Sequence, residues 1–349
     1  MAVAVVKYHE NGTPYCAKYR ICVLGNLDPH NRTKSDCYTL VMSQLEFWLL
    51  LSETCRKQCH LQSGDFEQAF CQSMLPNNES YVVRSPKGCF LTPPKTLLLL
   101  KKTLYGLKRS PRHWYMKAKQ VLNDLGIYEC YNAPCVFRGF ISSHTNPNSE
   151  IILGLYVDDF MYFLEDHATK IAFKSLLFNK LNVDFYRNST QFLGMKLNIV
   201  HNETETTIYI NQQAVAENLV ANAGLDQPHV NPTLTPYRSG FPVDKIPPHP
   251  NLPPECKAEC EMMLWSYVGT LNWLSTGTRP DLSTITKMLA QYSHAATPAH
   301  ITSAKYAIKN LKGTLRVQRG LVFNAAGEPW WGRRFDPIAC EIDFRTLPR

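Results

Sequence analysis

Two adjacent aspartates, Asp158 and Asp159, interrupt an otherwise apolar stretch over residues 151–163. The flanking residues favour a buried β-strand, but burying an unpaired carboxylate costs several kcal/mol and two neighbouring carboxylates repel each other. A fold that keeps this pair has to expose it to water or to supply cations. The first solution is a β-hairpin whose tip carries both side chains, and the second is a site for divalent metal ions.

The composition limits the class of protein and its partners. The chain has 349 residues, of which 44% are hydrophobic, and a net charge of +8. This length predicts two or three lobes around large cores, and the positive charge favours a polyanionic partner. No run approaches the about 20 apolar residues of a membrane span, and no secretion signal is evident at the N-terminus. We therefore expect an intracellular protein without a membrane association; the cytoplasm and the nucleus are not distinguished.

Hydrophobic periodicity and turn residues predict an α+β chain. Residues 40–52 are expected to form a buried helix with Val41, Leu45, Trp48, Leu49 and Ser52 on its inner side. Nine prolines between residues 228 and 254 predict a linker or an extended strap. The other predicted elements are strands over 16–25, 57–63, 134–140 and 151–163, hairpins over 79–91 and 192–210, and helices over 65–74, 111–125, 168–181, 212–223, 257–275, 281–294 and 298–312.

A third aspartate, Asp65, follows the predicted strand over 57–63. If that strand lies next to the hairpin, Asp65, Asp158 and Asp159 converge. Carboxylate oxygens suit hard cations that keep water and bind substrate phosphates, which points to Mg²⁺. Two such ions about 3.5–4 Å apart would serve phosphoryl transfer. The alternative for Asp65 alone is the N-cap of a helix.

Two basic segments are candidates for binding nucleic acid. Residues 104–115 (LYGLKRSPRHWY) interleave cations with aromatic rings, as contacts to phosphates and bases require. The alternative is a solvated helix start. The second segment is a stripe at helical spacing, for which an exposed helix face is the default interpretation. It consists of Lys305, Lys309, Lys312, Arg316 and Arg319.

An ordered set of short motifs over about residues 16–323 resembles the reverse transcriptases of copia-type LTR retrotransposons. The YVDD sequence at 156–159 resembles the catalytic YxDD box of that family. Each further motif is weak alone, but their order makes coincidence improbable. They are KYRICVLG at 18–25, DFEQAF at 65–70, LYGLK at 104–108 with Arg112 and Trp114 after it, FLG at 192–194, TRPD at 278–281 and LKGT at 311–314.

The resemblance implies a right-hand polymerase with fingers, a palm built on an antiparallel sheet, and a helical thumb. Asp65 and Asp158 would hold two Mg²⁺ ions, with Asp159 beside them and Mn²⁺ as an alternative ion. The implied reaction is RNA-directed DNA polymerisation, in which a primer 3′-hydroxyl on an RNA or DNA template attacks the α-phosphate of a dNTP.

The resemblance also implies a nucleotide site. Lys18 and Arg20 would contact the β- and γ-phosphates through charge-assisted hydrogen bonds. Phe70 would be a steric gate that excludes a ribose 2′-hydroxyl. Arg109 stands where the family has a Gln that positions nucleotide and template, and it would contact phosphate. The basic stripe of residues 305–319 would hold the template–primer.

The implied organisation is an N-terminal extension (1–15), fingers and palm (16–225), a Pro-rich linker or strap (226–256), a helical thumb or connection (257–323) and a divergent C-terminal tail (324–349) without RNase H. Two alternatives stay open. The first is an inactive retrotransposon remnant that only binds nucleic acid, which Arg109 and the C-terminal tail favour. The second is another two-metal enzyme such as a nuclease. The oligomeric state is not predicted.

Overall fold

The structure, a computed structural model, describes residues 2–8, 13–28, 33–86, 93, 95–164, 166–186, 191–202, 205–237, 253–315, 320–324 and 329–332. The chain divides into two compact units. The first contains Met1–Leu50 and Cys59–Ser189, and the second contains Leu51–Gln58 and Thr190–Arg349. Among the described helices, none combines the length and the hydropathy that crossing a membrane requires.

The first unit is built on antiparallel strands. Its described strands are Ala2–Tyr8 (β1), Pro14–Ile21 (β2), His60–Phe66 (β3), Val82–Arg84 (β4), Leu97–Leu99 (β5), Ile127–Cys130 (β6), Ala133–Ile141 (β7), Ser149–Tyr156 (β8), Asp159–Leu164 (β9) and Val183–Phe185 (β10). Six of them form one sheet in the order β10-β3-β9-β8-β7-β6, while β1-β2 and β4-β5 form two-stranded sheets. The described helices are Lys34–Cys37 (α1), Gln44–Arg56 (α2), which continues into the second unit, Ser110–Asp124 (α3) and His167–Phe178 (α4).

Helix α3 supports the centre of the six-stranded sheet. Pro111 lies in its first turn, where a missing N–H group costs nothing. Its buried face includes Trp114, whose ring packs edge-on against Phe66 of β3 with ring centroids 5.0 Å apart. On β9, all residues after Asp159 are buried. The packing of α3 on β3 and the buried residues of β9 therefore hold the hairpin formed by β8 and β9 in place.

The second unit combines a sheet with a helical cluster. Its described strands are Gln191–Phe192 (β11), Met195–His201 (β12), Thr206–Asn211 (β13), Gly320–Phe323 (β14) and Pro329–Gly332 (β15), which pair in chain order. Its helices are Gln213–Asn222 (α5), Pro254–Gly277 (α6), Ser283–Ala290 (α7) and Pro298–Thr314 (α8). The helices pack around an apolar core that includes Leu264, Leu271, Leu289 and Ile308.

Arg279 explains why the TRPD and LKGT motifs occur together. Its guanidinium is 5% exposed and makes a bidentate pair with Asp281, with donor–acceptor distances of 2.9 and 2.7 Å. The same group donates a 2.9 Å hydrogen bond to the Thr314 hydroxyl at the end of α8. A buried cation is tolerated only with such partners, so these two motifs fasten helices to each other.

The structure confirms the α+β class and most predicted elements, and it corrects three predictions. Residues 65–74 do not form a helix, because β3 pairs with β9 and β10 on its two sides and continues through Asp65 to Phe66. Only a short 3-10 helix follows, over Ala69–Gln72. The N-cap alternative for Asp65 is therefore wrong. Leu45 and Leu49 of α2 are 63% and 57% exposed, so the predicted inner face of α2 is also wrong.

Some predictions fall outside the described residues. The predicted hairpin over 79–91 is described only up to residue 86, and β4 pairs with β5. Residues 238–252 of the Pro-rich linker lie outside as well, as do Arg316, Arg319 and most of the C-terminal tail. The domain boundaries at 15/16, 225/226 and 256/257 stay predictions.

Candidate active site

The two aspartates of the YVDD sequence lie in and beside a two-residue turn. Tyr156 pairs with Asp159 at the end of β8 and the start of β9, which leaves Val157 and Asp158 to close the hairpin. Val157 adopts the left-handed conformation with φ +58°, which is strained for a β-branched residue. Two hydrogen bonds hold this turn. The Phe66 N–H donates to the Asp158 carbonyl (2.8 Å), and the Trp114 indole N–H donates to the Val157 carbonyl (2.6 Å).

Asp65 lies directly opposite Asp159 across the β3–β9 pair. Residues paired in this way in an antiparallel sheet project to the same face, with Cβ atoms about 4.5–5.5 Å apart. On the other side of β3, Asp184 of β10 is paired with Asp65. Three aspartates therefore form a row across β10, β3 and β9, with Asp158 in the adjoining turn.

The electrostatics of the site show that the carboxylates interact. Burial, with the negative charge of Asp158, raises the pKa of Asp159 to about 6. The pKa of Tyr186, which follows β10, is raised chiefly by burial and also by Asp65, Asp159, Asp184 and Asp158. Such a site favours a bound cation, because a cation would offset the repulsion between ionised carboxylates.

Asp65, Asp158 and Asp159 could hold metal ions of the hard, oxygen-preferring kind. Within the described ranges, no group of three or more His, Cys, Asp and Glu side chains is drawn together as a preformed metal site. Mg²⁺ does not require one, since it is usually held by one or two carboxylates, several waters and substrate phosphates. The aspartates supply only oxygen ligands, and their mutual repulsion at Asp159 fits an open site of this type.

A second cluster brings two of the predicted nucleotide-site residues together through a third residue. The Arg20 guanidinium carbon on β2 lies 5.7 Å from the centroid of the Tyr105 ring. The Phe70 ring also packs on Tyr105, with ring centroids 5.1 Å apart and an interplanar angle of 59°. Lys18 lies two residues before Arg20 and therefore shares its face of β2. We call Arg20, Tyr105 and Phe70 the aromatic stack.

Two glycines allow the loop that carries Tyr105 to approach the end of β2. A Cβ atom on Gly25 would lie 2.0 Å from the Gly106 carbonyl oxygen, and one on Gly106, with φ +89°, would lie 2.0 Å from the Val23 carbonyl oxygen. The Val23 N–H donates a 2.8 Å hydrogen bond to the Tyr105 carbonyl. Only glycine fits two backbones at this separation, so the KYRICVLG and LYGLK motifs meet here.

The structure gives two other predicted residues protein partners. The Arg109 guanidinium pairs with Glu79, whose side chain is 5% exposed, and the His113 imidazole lies 3.2 Å from the same carboxylate. The contact of Arg109 with phosphate stays a prediction. In the second unit, the Lys312 ammonium donates to the carbonyls of Gln227 and Val230 (2.6 and 2.9 Å), which limits its reach toward a phosphate backbone.

Sequence reasoning assigned no role to Tyr105, Asp184 or Glu79. Tyr105 belongs to the LYGLK motif, but nothing in the surrounding sequence indicated a role for it apart from that of the neighbouring cations. Asp184 carried a weak signal, since it alternates with apolar neighbours in VDF. Glu79 carried no such signal, because its partners Arg109 and His113 lie 30 and 34 residues later in the chain.

Comparisons with known proteins identify the family of the chain. The family model described as reverse transcriptase (RNA-dependent DNA polymerase) matches residues 11–238. The retrovirus-related Pol polyprotein from transposon TNT 1-94 of Nicotiana tabacum is 25% identical over 313 residues, which are 89% of this chain and 23% of the relative. Those from transposons RE1 and RE2 of Arabidopsis thaliana are each 24% identical over 88% of this chain and 20% of the relative.

The chain thus spans between a fifth and a quarter of the length of the curated relatives it matches. A solved foamy viral protease–reverse transcriptase in complex with double-stranded DNA aligns with 89% of this chain and 43% of its own, at 15% identity and a TM-score of 0.43. The family model matches more than half of the chain, over a range that includes Asp65, Asp158 and Asp159. The chain belongs to the reverse transcriptase (RNA-dependent DNA polymerase) family.

Proposed function

We propose that this chain is a polymerase domain that extends a primer 3′-hydroxyl with dNTPs on an RNA or DNA template by two-metal nucleotidyl transfer. The observation that carries the proposal is the pairing of Asp65 with Asp159, next to the turn that holds Asp158. Two carboxylates on adjacent strands and a third in the adjoining turn offer the oxygen ligands that hard cations take when they also bind phosphate oxygens.

Each aspartate has a defined part in this proposal. Asp65 and Asp158 would hold the metal ions, and Asp159 would lie beside them. Bound Mg²⁺ supplies activation of the attacking oxygen and neutralisation of the leaving oxygen. The protein fixes the backbone of the turn through the Phe66 and Trp114 hydrogen bonds, which limits the movement that Asp158 needs when metal ions and a nucleotide bind.

The aromatic stack and Lys18 form the nucleotide side of the proposal. Arg20 and Lys18 are cations on one face of β2, suited to the β- and γ-phosphates. Phe70 is half-buried, so part of its ring is available to pack under a deoxyribose and exclude a 2′-hydroxyl. Arg109, by contrast, acts in the proposal only if its guanidinium leaves Glu79.

The test is primer extension on an RNA template with purified protein, in Mg²⁺ and dNTPs. Asp158→Ala is expected to reduce extension by at least about a hundredfold, because the developing charge loses its stabilisation. The matched control is Asp124→Ala, which removes an exposed carboxylate that accepts a hydrogen bond from Gln120 at the end of α3. Equal extension by wild type and Asp158→Ala would refute the proposal.

The alternative, a remnant that only binds nucleic acid, is separated by two binding measurements. Titration calorimetry with Mn²⁺ reports metal binding, and fluorescence anisotropy reports binding of a labelled template–primer. Retained template–primer binding without Mn²⁺ binding and without extension would support the remnant. Cleavage of the template in place of extension would instead support a nuclease.

A further inference from the structure

The aromatic stack links a cation, a phenol ring and a phenyl ring in one array. Arg20 lies over one side of Tyr105 at 5.7 Å from the ring centroid, within the distance of a cation–π interaction. Phe70 lies 5.1 Å from Tyr105 in a tilted arrangement, which is favourable for two aromatic rings. Tyr105 is therefore the shared neighbour of two residues that would contact different parts of a nucleotide.

Hydrogen bonds fix Tyr105 relative to both neighbours. Its carbonyl accepts from Val23, two residues after the end of β2. Two residues before Tyr105, the buried Thr103 donates from its hydroxyl to the Phe70 carbonyl and from its N–H to the Ser73 carbonyl (3.0 Å). The loop carrying Tyr105 is thus tied to the backbone on the Arg20 side and to the backbone of Phe70 itself.

The aromatic stack is connected to the aspartates through the chain, since Phe70 follows Asp65 of β3 by five residues. The pKa of Tyr105 is raised by burial first, and the charges of Asp158 and Asp65 contribute to the shift while Arg20 opposes it. The phenol is therefore close enough to these groups to experience their charges. A nucleotide whose phosphates reach Asp65 and Asp158 would place its sugar near the stack.

Phe70 needs such a support. It lies at the second position of a four-residue 3-10 helix that follows Gln68, whose own backbone is left-handed (φ 49°). The Tyr105 ring packs on this half-buried phenyl ring and restricts its rotamer. A steric gate must be held within about 0.5 Å to distinguish a hydrogen atom from a hydroxyl group.

We propose that Tyr105 is a positioning residue for sugar selection, whose ring holds Phe70 against the nucleotide sugar and holds Arg20 at the phosphates. This inference rests on the proposed function, in which Phe70 excludes a ribose. It assigns the effect to the ring of Tyr105 and to its packing on Phe70, and it leaves the hydroxyl without a part in sugar selection.

The experiment compares Tyr105→Ala, Tyr105→Phe, Phe70→Ala and the double variant Tyr105→Ala/Phe70→Ala. Single-nucleotide extension gives kcat/KM for a dNTP and for the matching rNTP. Tyr105→Ala is expected to lower the dNTP/rNTP ratio about three- to tenfold, the effect of losing one aromatic pair. Tyr105→Phe keeps the ring and is expected to stay within about twofold of wild type. In the Phe70→Ala background, Tyr105→Ala should change the ratio no further, because its effect passes through Phe70.

Three results would overturn the inference. They are an unchanged ratio in a folded Tyr105→Ala protein, an equal loss of selectivity in Tyr105→Phe, and a Tyr105→Ala effect of the same size with Phe70 absent. Folding of each variant is checked by its thermal unfolding transition. The first result would show that Phe70 needs no support, the second that the hydroxyl acts, and the third that Tyr105 acts independently.

A readout without turnover separates this inference from the proposed function. A primer that ends in a dideoxynucleotide cannot be extended, but binding of the next correct nucleotide keeps the template–primer on the protein. The fraction of template–primer that stays bound is measured against dNTP concentration and against rNTP concentration. If wild type fails to extend primers but retains the complex preferentially with dNTP, and Tyr105→Ala loses that preference, the proposed function fails and the inference stands. Equal retention by dNTP and rNTP in wild type would overturn the inference.

Discussion

The ion pair between Glu79 and Arg109 gives the sharpest stability prediction. The Glu79 side chain is 5% exposed, and its carboxylate also accepts hydrogen bonds from the Tyr81 hydroxyl (3.3 Å) and the His113 imidazole (3.2 Å). Removing one partner of a buried pair costs about 3–5 kcal/mol, because the other charge stays buried without its counter-ion. The perturbation is Arg109→Gln, which installs the residue that the family resemblance implies at this position.

Two local features reduce the expected cost. The new amide group can donate one hydrogen bond to Glu79, which contributes about 1 kcal/mol. In addition, the Arg109 Nε atom is buried and has no hydrogen-bond partner among the described residues, so its removal relieves about 1 kcal/mol of unmet desolvation. We therefore expect Arg109→Gln to lower the free energy of unfolding by about 2 kcal/mol.

The assay is urea unfolding followed by tryptophan fluorescence for wild type, Arg109→Gln, Glu79→Gln and the double variant. A coupling energy of about 1–3 kcal/mol is expected, since the two side chains are in direct contact. The control is Arg56→Gln: Arg56 pairs with Glu53 at side-chain exposures of 58% and 31%, so neither charge is buried and the loss of this pair should cost under about 1 kcal/mol. If Arg109→Gln costs no more than Arg56→Gln, or if the effects of Arg109→Gln and Glu79→Gln add in the double variant, the reasoning is refuted.

Three further predictions concern single residues. Gly106→Ala should lower the free energy of unfolding by about 3 kcal/mol or more, because strain at positive φ adds to the clash with Val23. The control is Gly126→Ala, which lies at φ +78° with open space around it and should cost only about 1 kcal/mol. Equal urea midpoints for the two variants would contradict the predicted clash. Trp114→Phe should cost about 1–3 kcal/mol and reduce primer extension, because the Val157 carbonyl loses its donor; full extension would show that the turn holds without it. Burial lowers the pKa of His300, so the unfolded chain binds a proton at this residue more readily than the folded chain does. The free energy of unfolding should therefore fall as pH drops below about 6.5. His300→Gln should show a shallower fall between pH 7.5 and 5.5, and parallel plots of the free energy of unfolding against pH for the two proteins would rule the effect out.

Local pattern was sufficient where a single element determined the outcome. Helix α3, predicted over 111–125, is observed over Ser110–Asp124, since a proline and a regular apolar face mark it. The hairpin over 151–163 is observed with its turn at Val157 and Asp158. The convergence of Asp65 with this hairpin required only that two strands be neighbours, and the register confirms that they are.

Pairing between distant segments decided the rest. Asp65 continues a strand because β9 and β10 flank it, and nothing within residues 57–66 reveals those partners. Helix α2 has apolar residues on all sides, so its pattern could not select Phe47 and Leu51 as buried over Leu45 and Leu49. The sequence likewise offered Arg109 as a free cation, whereas Glu79 accepts its charge.

The left-handed Val157 has a consequence for protein engineering. The backbone strain of a β-branched residue at positive φ costs about 1–3 kcal/mol of folding free energy, and a glycine at the same position avoids this strain. Val157→Gly should therefore raise the melting temperature, while it frees the turn beside Asp158 to sample other conformations. A screen for heat resistance alone would favour this exchange and select against the proposed polymerase activity, so a thermostable version of the domain has to be chosen by primer extension and melting temperature together.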